Sequence, residues 1–322
     1  MIPYEWLEDA SLRIAPHIIE TPLVFDTHPD LGQVYLKWEN HQVTGSFKAR
    51  GALNKILTLQ PWERQLGLVT ASAGNHGLGV AMAGKLVGAA VTVFVSEHAV
   101  PRKVQAIREL GASIQEVPGG YPEAERAGIE AARRRHLTWI SPYNDEQIIA
   151  GQGTIGLEIL AQQPEASLAT WIVPAGGGGL ISGIGLAIKN HPSSQLSGSG
   201  RPRLIGVQPE ASPFLHSLYH HGTQDGIIEQ ETLADGLAGQ VEDHSLTIPL
   251  ARELVDDMIL VSEMEIIQAI RFAWQRYGEP IEGSAAVSLA AILSGKVRSR
   301  PAMLIISGGN IQPEVHARIV GI

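Results

Sequence analysis

Short β-branched runs alternate with helix-patterned segments along almost the whole chain, and this alternation narrows the fold more than any other feature. Val34-Tyr35-Leu36-Lys37-Trp38, Gly67-Leu68-Val69-Thr70, Val91-Thr92-Val93-Phe94-Val95 and Ser113-Ile114-Gln115-Glu116-Val117 read as strands. So do Trp171-Ile172-Val173, Arg203-Leu204-Ile205-Gly206-Val207 and Met303-Leu304-Ile305-Ile306. Most are bounded by Gly, Pro or Ser, and several are continuously apolar, as strands covered on both faces are. Helix patterns run Ser46 to Leu59, Asn75 to Leu86, Pro101 to Leu110, Pro122 to Arg135, Ile148 to Gln162, Leu180 to Asn190 and Ser262 to Tyr277. The alternation predicts an α/β fold with open, mostly parallel sheets and right-handed crossovers. The strands between residues 67 and 117 are closely spaced and point to a small lobe; the chain from Gly151 onward, with the N-terminal segment, makes a larger one. The stretch His191 to Gly200, rich in Ser, Pro and Gly, is expected to be the least ordered.

Composition removes several function classes. With 322 residues, 44% hydrophobic and 18% charged, the chain can bury one large core or two lobes with a cleft. A formal charge of -9 argues against a Lys/Arg-built nucleic-acid face, and the one dense basic run, Arg133-Arg134-Arg135, reads as a solvated helix end. The absence of cysteine excludes disulfides, thiolate catalysis and Cys-bound zinc. The start Met1-Ile2-Pro3-Tyr4-Glu5-Trp6 lacks the regions of a signal peptide, and no long uninterrupted apolar stretch suits a membrane span. A soluble cytoplasmic protein is the expectation.

In open α/β sheets, ligands collect where strands run into helices. Four such places carry unusual residues. In Thr44-Gly45-Ser46-Phe47-Lys48-Ala49-Arg50-Gly51, Ser46 is placed to cap a helix, and Lys48 falls in its first turn, where the positive dipole end promotes a neutral amine. Taken alone, the segment fits an ordinary surface lysine after a cap better. In Ala71-Ser72-Ala73-Gly74-Asn75-His76-Gly77-Leu78-Gly79, polar side chains and first-turn amides suit a carboxylate, or simply a capping turn with a buried His. Val173-Pro174-Ala175-Gly176-Gly177-Gly178-Gly179-Leu180 is costly in chain entropy and suits backbone amides converging on a phosphate. Ile305-Ile306-Ser307-Gly308-Gly309-Asn310 ends a strand with a hydroxyl that can bond a ligand atom, or marks a plain turn. None of these strand-to-helix loops carries the G-x-G-x-x-G dinucleotide fingerprint. Gly79 to Lys85 fits a P-loop only up to Leu86, where Ser or Thr is needed. His220-His221 are adjacent and make a poor metal face.

Taken in order, the four segments resemble the fold-type II pyridoxal 5'-phosphate (PLP) enzymes, within them the serine/threonine dehydratase and serine racemase family. Ala150-Gly151-Gln152-Gly153-Thr154-Ile155-Gly156-Leu157-Glu158, Leu233-Ala234-Asp235-Gly236-Leu237-Ala238 and Arg252-Glu253-Leu254-Val255-Asp256-Asp257 extend the resemblance to nearly the whole chain. It implies a two-lobed fold: residues 1-52 and 145-322 the large PLP-binding domain, 53-144 the small one. Lys48 matches the lysine that holds PLP, next to Phe47; Asn75 the partner of the cofactor's phenolic oxygen; Gly176, Gly177, Gly178 and Gly179, with Leu180, the phosphate loop; Ser307 the partner of the pyridine nitrogen. Ser72, Ala73, Gly74, Asn75 and His76 would hold the substrate carboxylate, with Lys48 and Ser72 in the catalytic set. The implied activity is loss of water and ammonia from a small hydroxy-amino acid, L-threonine or L-serine, by a homodimer. A serine beside the ring nitrogen makes a weaker electron sink and favours prompt elimination.

Departures from the family pattern shape the expectation. Racemases carry a second serine where this chain has Ala73, which disfavours racemisation. Relatives that bind a divalent cation use acids where Gln208 and Phe214 stand, so no metal is expected. In Ser141-Pro142-Tyr143-Asn144-Asp145 relatives often begin with His and have two acids later, which leaves other β-hydroxy amino acids such as 3-hydroxyaspartate open. The chain ends soon after Ser307, and no C-terminal regulatory domain is expected. The rivals are a β-replacement enzyme or threonine synthase, which have K-D-R where this chain has Lys48-Ala49-Arg50, and a non-catalytic amino-acid-binding protein.

Overall fold

The strands that read as continuously apolar occupy the centre of the larger sheet. In the computed structural model, which describes residues 2–164, 169–191 and 202–322, β7 (Thr170–Pro174), β8 (Leu204–Pro209) and β10 (Ala302–Ile306) are buried at every position. Together with β1 (Leu23–His28), β2 (Gly32–Trp38) and β9 (Asp257–Val261) they form a six-stranded sheet in the order β1-β2-β10-β7-β8-β9. A second sheet of four strands, β5-β4-β3-β6, is made from β3 (Leu68–Ala71), β4 (Val91–Ser96), β5 (Ser113–Val117) and β6 (Thr138–Trp139). All seven runs read as strands from the sequence are strands. Every pairing is parallel except β1 with β2, where a three-residue turn after His28 folds the edge back antiparallel. Three strands escaped the reading: β1 is a mostly exposed edge, β6 has two residues, and β9 follows two aspartates. The tract 192–200, expected to be poorly ordered, lies outside the described residues.

Order in space departs from order in sequence at one decisive point. The last strand, β10, inserts between β2 and β7, so three loops far apart in the chain leave the same end of the sheet side by side. These are the loop after β2 that leads to Lys48, the glycine run after β7, and the Ser307 loop after β10. Helix Gly283–Leu293 runs beneath them, built almost entirely of small and apolar residues and buried along its whole length. Its Ala285, Ala286, Leu289 and Ala290 join Leu36, Ile172, Ile205 and Leu304 in the largest apolar cluster.

Two helices carry the candidate residues, Lys48–Thr58 and Gly179–Asn190, and both rest on a third, Glu146–Gln162. Asp145 starts that third helix, its carboxylate accepting from the amides of Gln147 and Ile148 at 2.8 and 3.1 Å. Glycines set both crossings. A Cβ on Gly151 would lie 2.7 Å from the Cα of Gly51, and one on Gly153 would lie 2.7 Å from the carbonyl of Gly183. Gly151, Gly153 and Gly156 do spell G-x-G-x-x-G, but inside a helix, where they serve backbone contact and no phosphate-binding turn exists. No helix among the described residues is long and apolar enough to cross a membrane.

Because the atoms facing Gly183 are backbone and cannot turn aside, Gly183→Ala is expected to lower unfolding free energy by roughly 1–3 kcal/mol. A urea titration of the cofactor-free protein measures it, with Gly120→Ala, where φ is -92° and a Cβ meets nothing nearer than 3.5 Å, as the open-site comparison.

Candidate active site

The Lys48 helix begins without the expected serine cap. Phe47 occupies the N-cap position with no side-chain hydrogen bond. The Ser46 hydroxyl is buried without a hydrogen-bond partner. Ser46 instead forms an isolated antiparallel bridge with Gly308, and the Phe47 amide donates to the Ser307 carbonyl at 3.0 Å. The backbone entering Lys48 is thus stitched to the loop after β10 before the helix starts. The Lys48 Nζ donates to the Pro142 carbonyl at 2.8 Å and lies 5.2 Å from the centre of the Phe47 ring. Loss of water around the ammonium draws its pKa down to about 8, although the Glu282 carboxylate opposes the shift.

Two residues further on, Arg50 is fully buried. Its Nε and one terminal nitrogen each donate to Glu39 at 2.8 Å, and the other terminal nitrogen donates to Glu158 at 2.8 Å. Lys37, also fully buried, joins Glu158 and donates to the carbonyl of Thr21 at 2.7 Å. Burial lowers the Lys37 pKa against the pull of Glu158; the paired carboxylates hold Arg50 firmly charged, and their cations keep Glu158 below the usual carboxylate range. Gln152 reaches across as well, accepting from the Gly51 amide at 3.2 Å. The Lys48 helix is therefore keyed to β2, to the turn after it and to helix Glu146–Gln162.

The Ser72–His76 loop follows β3 and opens helix Asn75–Val87. Ser72 Oγ accepts from the Gly74 amide at 3.1 Å, which curls the loop and leaves the first-turn amides directed out of the helix start. Ala73 is half-buried against the small-sheet core. His76 does not join this group as an ionic side chain. Its ring is buried, Nε2 bonds the Ile140 carbonyl at 3.1 Å, and burial with the nearby Lys48 lowers its pKa to about 3. It contributes a helix-start amide and a neutral imidazole packed in the core. Asn75 stands at the meeting of the two sheets: its Nδ2 donates to Glu282 at 2.7 Å and its Oδ1 accepts from Asn310 at 2.7 Å.

In the glycine run each position lacks room for a side chain. A Cβ on Gly176 would lie 3.0 Å from Leu237, one on Gly177 2.5 Å from the Tyr143 ring, and one on Gly179 2.9 Å from the Tyr143 Cβ. Gly178, at φ 90°, is the N-cap of helix Gly179–Asn190, and a Cβ there would lie 2.8 Å from Thr247. Thr247 Oγ1 donates to the Gly177 carbonyl at 2.6 Å, which turns that peptide's oxygen away and leaves amides to the open side. Leu180 packs its side chain into the core, so only its amide can take part. Ser307 is buried at the end of β10.

Several residues here were given no role from the sequence, although Tyr143 and Asn144 lie in the Ser141 to Asp145 stretch it singled out. Tyr143 lies over the glycine run, its hydroxyl accepting from the Glu242 amide at 2.8 Å. Asn144 donates to Glu242 at 2.8 Å, and the other Glu242 oxygen is buried without a hydrogen-bond partner. On helix Tyr121–Arg135, Tyr121 donates to Glu125 at 2.7 Å; burial and then the Glu242 charge raise the Glu125 pKa. Two carboxylates thus gather on the Tyr143 side of Lys48. Glu282 and Asn310 were also unread. The one available cue was a single acid, in Pro280-Ile281-Glu282, immediately before an all-apolar helix.

These residues suit PLP: a desolvated lysine amine for its aldehyde, bare peptide nitrogens at a helix start for its phosphate, and a side-chain amide beside the lysine. Residues 14–308 match the family of pyridoxal-phosphate dependent enzymes. An L-threonine ammonia-lyase of Geobacter sulfurreducens is 39% identical, covering 99% of this chain and 78% of that one. Maize serine racemase superposes with a TM-score of 0.88 at 32% identity, covering 98% and 95% of the two chains. Threonine deaminase isoform 2 of Solanum lycopersicum, in its processed form, gives 0.86 at 29% identity, covering 99% and 93%.

Two outcomes are expected. Carbamylation of Lys48 by cyanate in the cofactor-free protein should reach half its limiting rate near pH 8, because burial disfavours the ammonium and the reactive amine emerges at lower pH. An exposed lysine is under about 1% neutral there, and peptide mapping separates the two. Arg50→Met should cost about 3–5 kcal/mol of stability in urea unfolding by leaving Glu39 and Glu158 buried without their partner.

Proposed function

The chain belongs to the family of pyridoxal-phosphate dependent enzymes, and from that premise we propose that it is an ammonia-lyase acting on L-threonine and L-serine. The observation that carries this reading is the placement of Lys48 Nζ, 2.8 Å from the Pro142 carbonyl, between the start of the Asn75 helix and the glycine run. Similarity over 99% of the chain to an L-threonine ammonia-lyase supports it.

When bound, PLP supplies an electron sink for the bonds broken at the substrate Cα. The side chains divide the remaining work. Lys48 would tether the cofactor, and its amine, freed when the substrate amine takes its place, would take the Cα proton from the carbon beside it. Ser72 and the first-turn amides of Gly74 to His76 hold the substrate carboxylate. The amides of Gly176 to Leu180 hold the phosphate, and the neutral Ser307 hydroxyl meets the ring nitrogen. The β-hydroxyl leaves as water, a water then adds at Cα as ammonia departs, and a 2-oxo acid remains. Ala73 offers no hydroxyl on the opposite face, which favours elimination over racemisation. The gathering of Glu125 and Glu242 beyond Tyr143 favours a neutral β-substituent over the second carboxylate of 3-hydroxyaspartate. Residues 53-144 act as the smaller domain in this proposal, and the working unit is a homodimer, as the resemblance implies.

The test combines trapping with a substrate panel. Borohydride reduction of the holoprotein should place the label on Lys48, and Lys48→Ala should lose about 10²–10⁴-fold or more in kcat. L-threonine and L-serine should release oxo acid, with 3-hydroxyaspartate turned over more slowly. Label on another lysine, or a thioether product from serine and sulfide without oxo acid, overturns the proposal.

A further inference from the structure

Glu282 is the one buried carboxylate at this site to which the scheme above gives no task. It stands at the N-cap position of helix Gly283–Leu293, yet its side chain makes no cap bond to that helix. Its amide donates to the Gly308 carbonyl at 3.2 Å, and a Cβ on Gly308 would lie 2.5 Å from Glu282 Oε1. The loop after β10 therefore needs glycine at that point to admit the carboxylate, which remains only 8% exposed.

From there Glu282 Oε1 accepts from Asn75 Nδ2 at 2.7 Å. The rest of the chain of bonds decides which end of the Asn75 amide faces it. Asn310 Nδ2 donates to the Thr44 carbonyl at 2.9 Å, and a carbonyl can only accept, so Asn310 turns its nitrogen inward. That nitrogen also donates to Asn75 Oδ1, at 2.7 Å. The Asn75 nitrogen is then committed to the Glu282 side, with one of its two N–H groups used and the other directed elsewhere.

We propose that Glu282 is a positioning residue: it fixes the Asn75 side-chain amide so that the second N–H is presented to the cofactor's oxygen. This rests on the reading of Asn75 given above. The carboxylate acts through Asn75 and touches neither substrate nor reacting atoms. An acceptor at this place is what the geometry requires, so Glu282→Gln, with its amide oxygen toward Asn75, preserves the arrangement. Glu282→Ala removes it and leaves Asn310 as the sole anchor of an amide whose terminal torsion is broad.

The experiment is a double-mutant cycle on PLP itself, read by its dissociation constant and by the visible absorbance of the bound form, with the thermal midpoint of each cofactor-free protein recorded separately. Glu282→Ala should weaken PLP binding roughly tenfold, about one hydrogen bond, shift the absorbance maximum, and lower kcat with the substrate KM unchanged. Glu282→Gln should restore spectrum and affinity. On an Asn75→Ala background, Glu282→Ala should change neither. If Glu282→Ala does not fold, Glu282→Met fills the volume without an acceptor and makes the same comparison. A Glu282→Ala protein with wild-type spectrum and affinity and only a lower thermal midpoint overturns the inference, as does an additive cycle. Wild-type protein that takes up no PLP at Lys48 overturns the proposed function and this inference together, whereas trapped wild type with an additive cycle removes only the second.

Discussion

A guanidinium withdrawn from water cannot remain uncompensated, and the environment of Arg50 is organised around that requirement. Its partners come from three separate stretches: Glu39 from the turn after β2, Glu158 from the end of a long helix, and, through Glu158, Lys37 from β2 itself. Removing two or more charges from water costs several kcal/mol each, repaid only if geometry and hydrogen bonding are close to ideal. The two-pronged contact with Glu39 meets that condition. What the arrangement contributes is definition of place: a helix that started a residue early or late would strand a charge. Lys48 lies two residues before Arg50 and inherits that definition.

The electrostatics of the site follow from the same economy of water. Lys48 and Glu282 are each pushed toward neutrality by burial, the amine down to about 8 and the carboxyl up to about 7, and Lys48 is partly held charged by Glu282. Asp235 adds to the upward push on Glu282, while Lys103, paired with Asp235 at 2.8 Å, works against it. Near neutral pH neither group is locked in one state. A lysine with the proposed tasks of binding an aldehyde and then moving a proton needs that balance.

Much of this was legible in the linear chain, and the omissions have a common cause. Strand–loop–helix punctuation marked out the segments that hold Lys48, the Ser72–His76 loop, the glycine run and Ser307, because each depends on neighbours within a few residues, while the roles given them came from the family resemblance. Glu282, Asn310 and Tyr143 depend on partners more than 90 residues away (Asn75 and Glu242); nothing local marks Glu282, and the segments that hold the other two do not reveal what those side chains bond. One local inference failed for the same reason, and a second was narrowed from the side chain to its backbone amide. Ser46 has the residue type of a helix cap, but pairing with Gly308 takes its backbone out of cap geometry. His76 has the chemistry of a carboxylate ligand, but the Ile140 carbonyl draws its ring into the core. Tertiary contacts outranked local preference at both positions.

The bare crossings at Gly51–Gly151 and Gly153–Gly183 carry a mechanical implication. Side chains between helices act as bearings, since they can change rotamer and let one cylinder slip past another. Where main chain rests directly on main chain, that freedom is gone. The amine and the anion-holding loop are therefore mounted on a single stiff frame, with their separation set before any ligand arrives. A third close approach, where a Cβ on Gly79 would lie 3.1 Å from the Lys48 carbonyl oxygen, seats the helix opened by the Ser72 loop against the same frame. Three loops far apart in the chain are thus spaced by glycine, main chain against main chain.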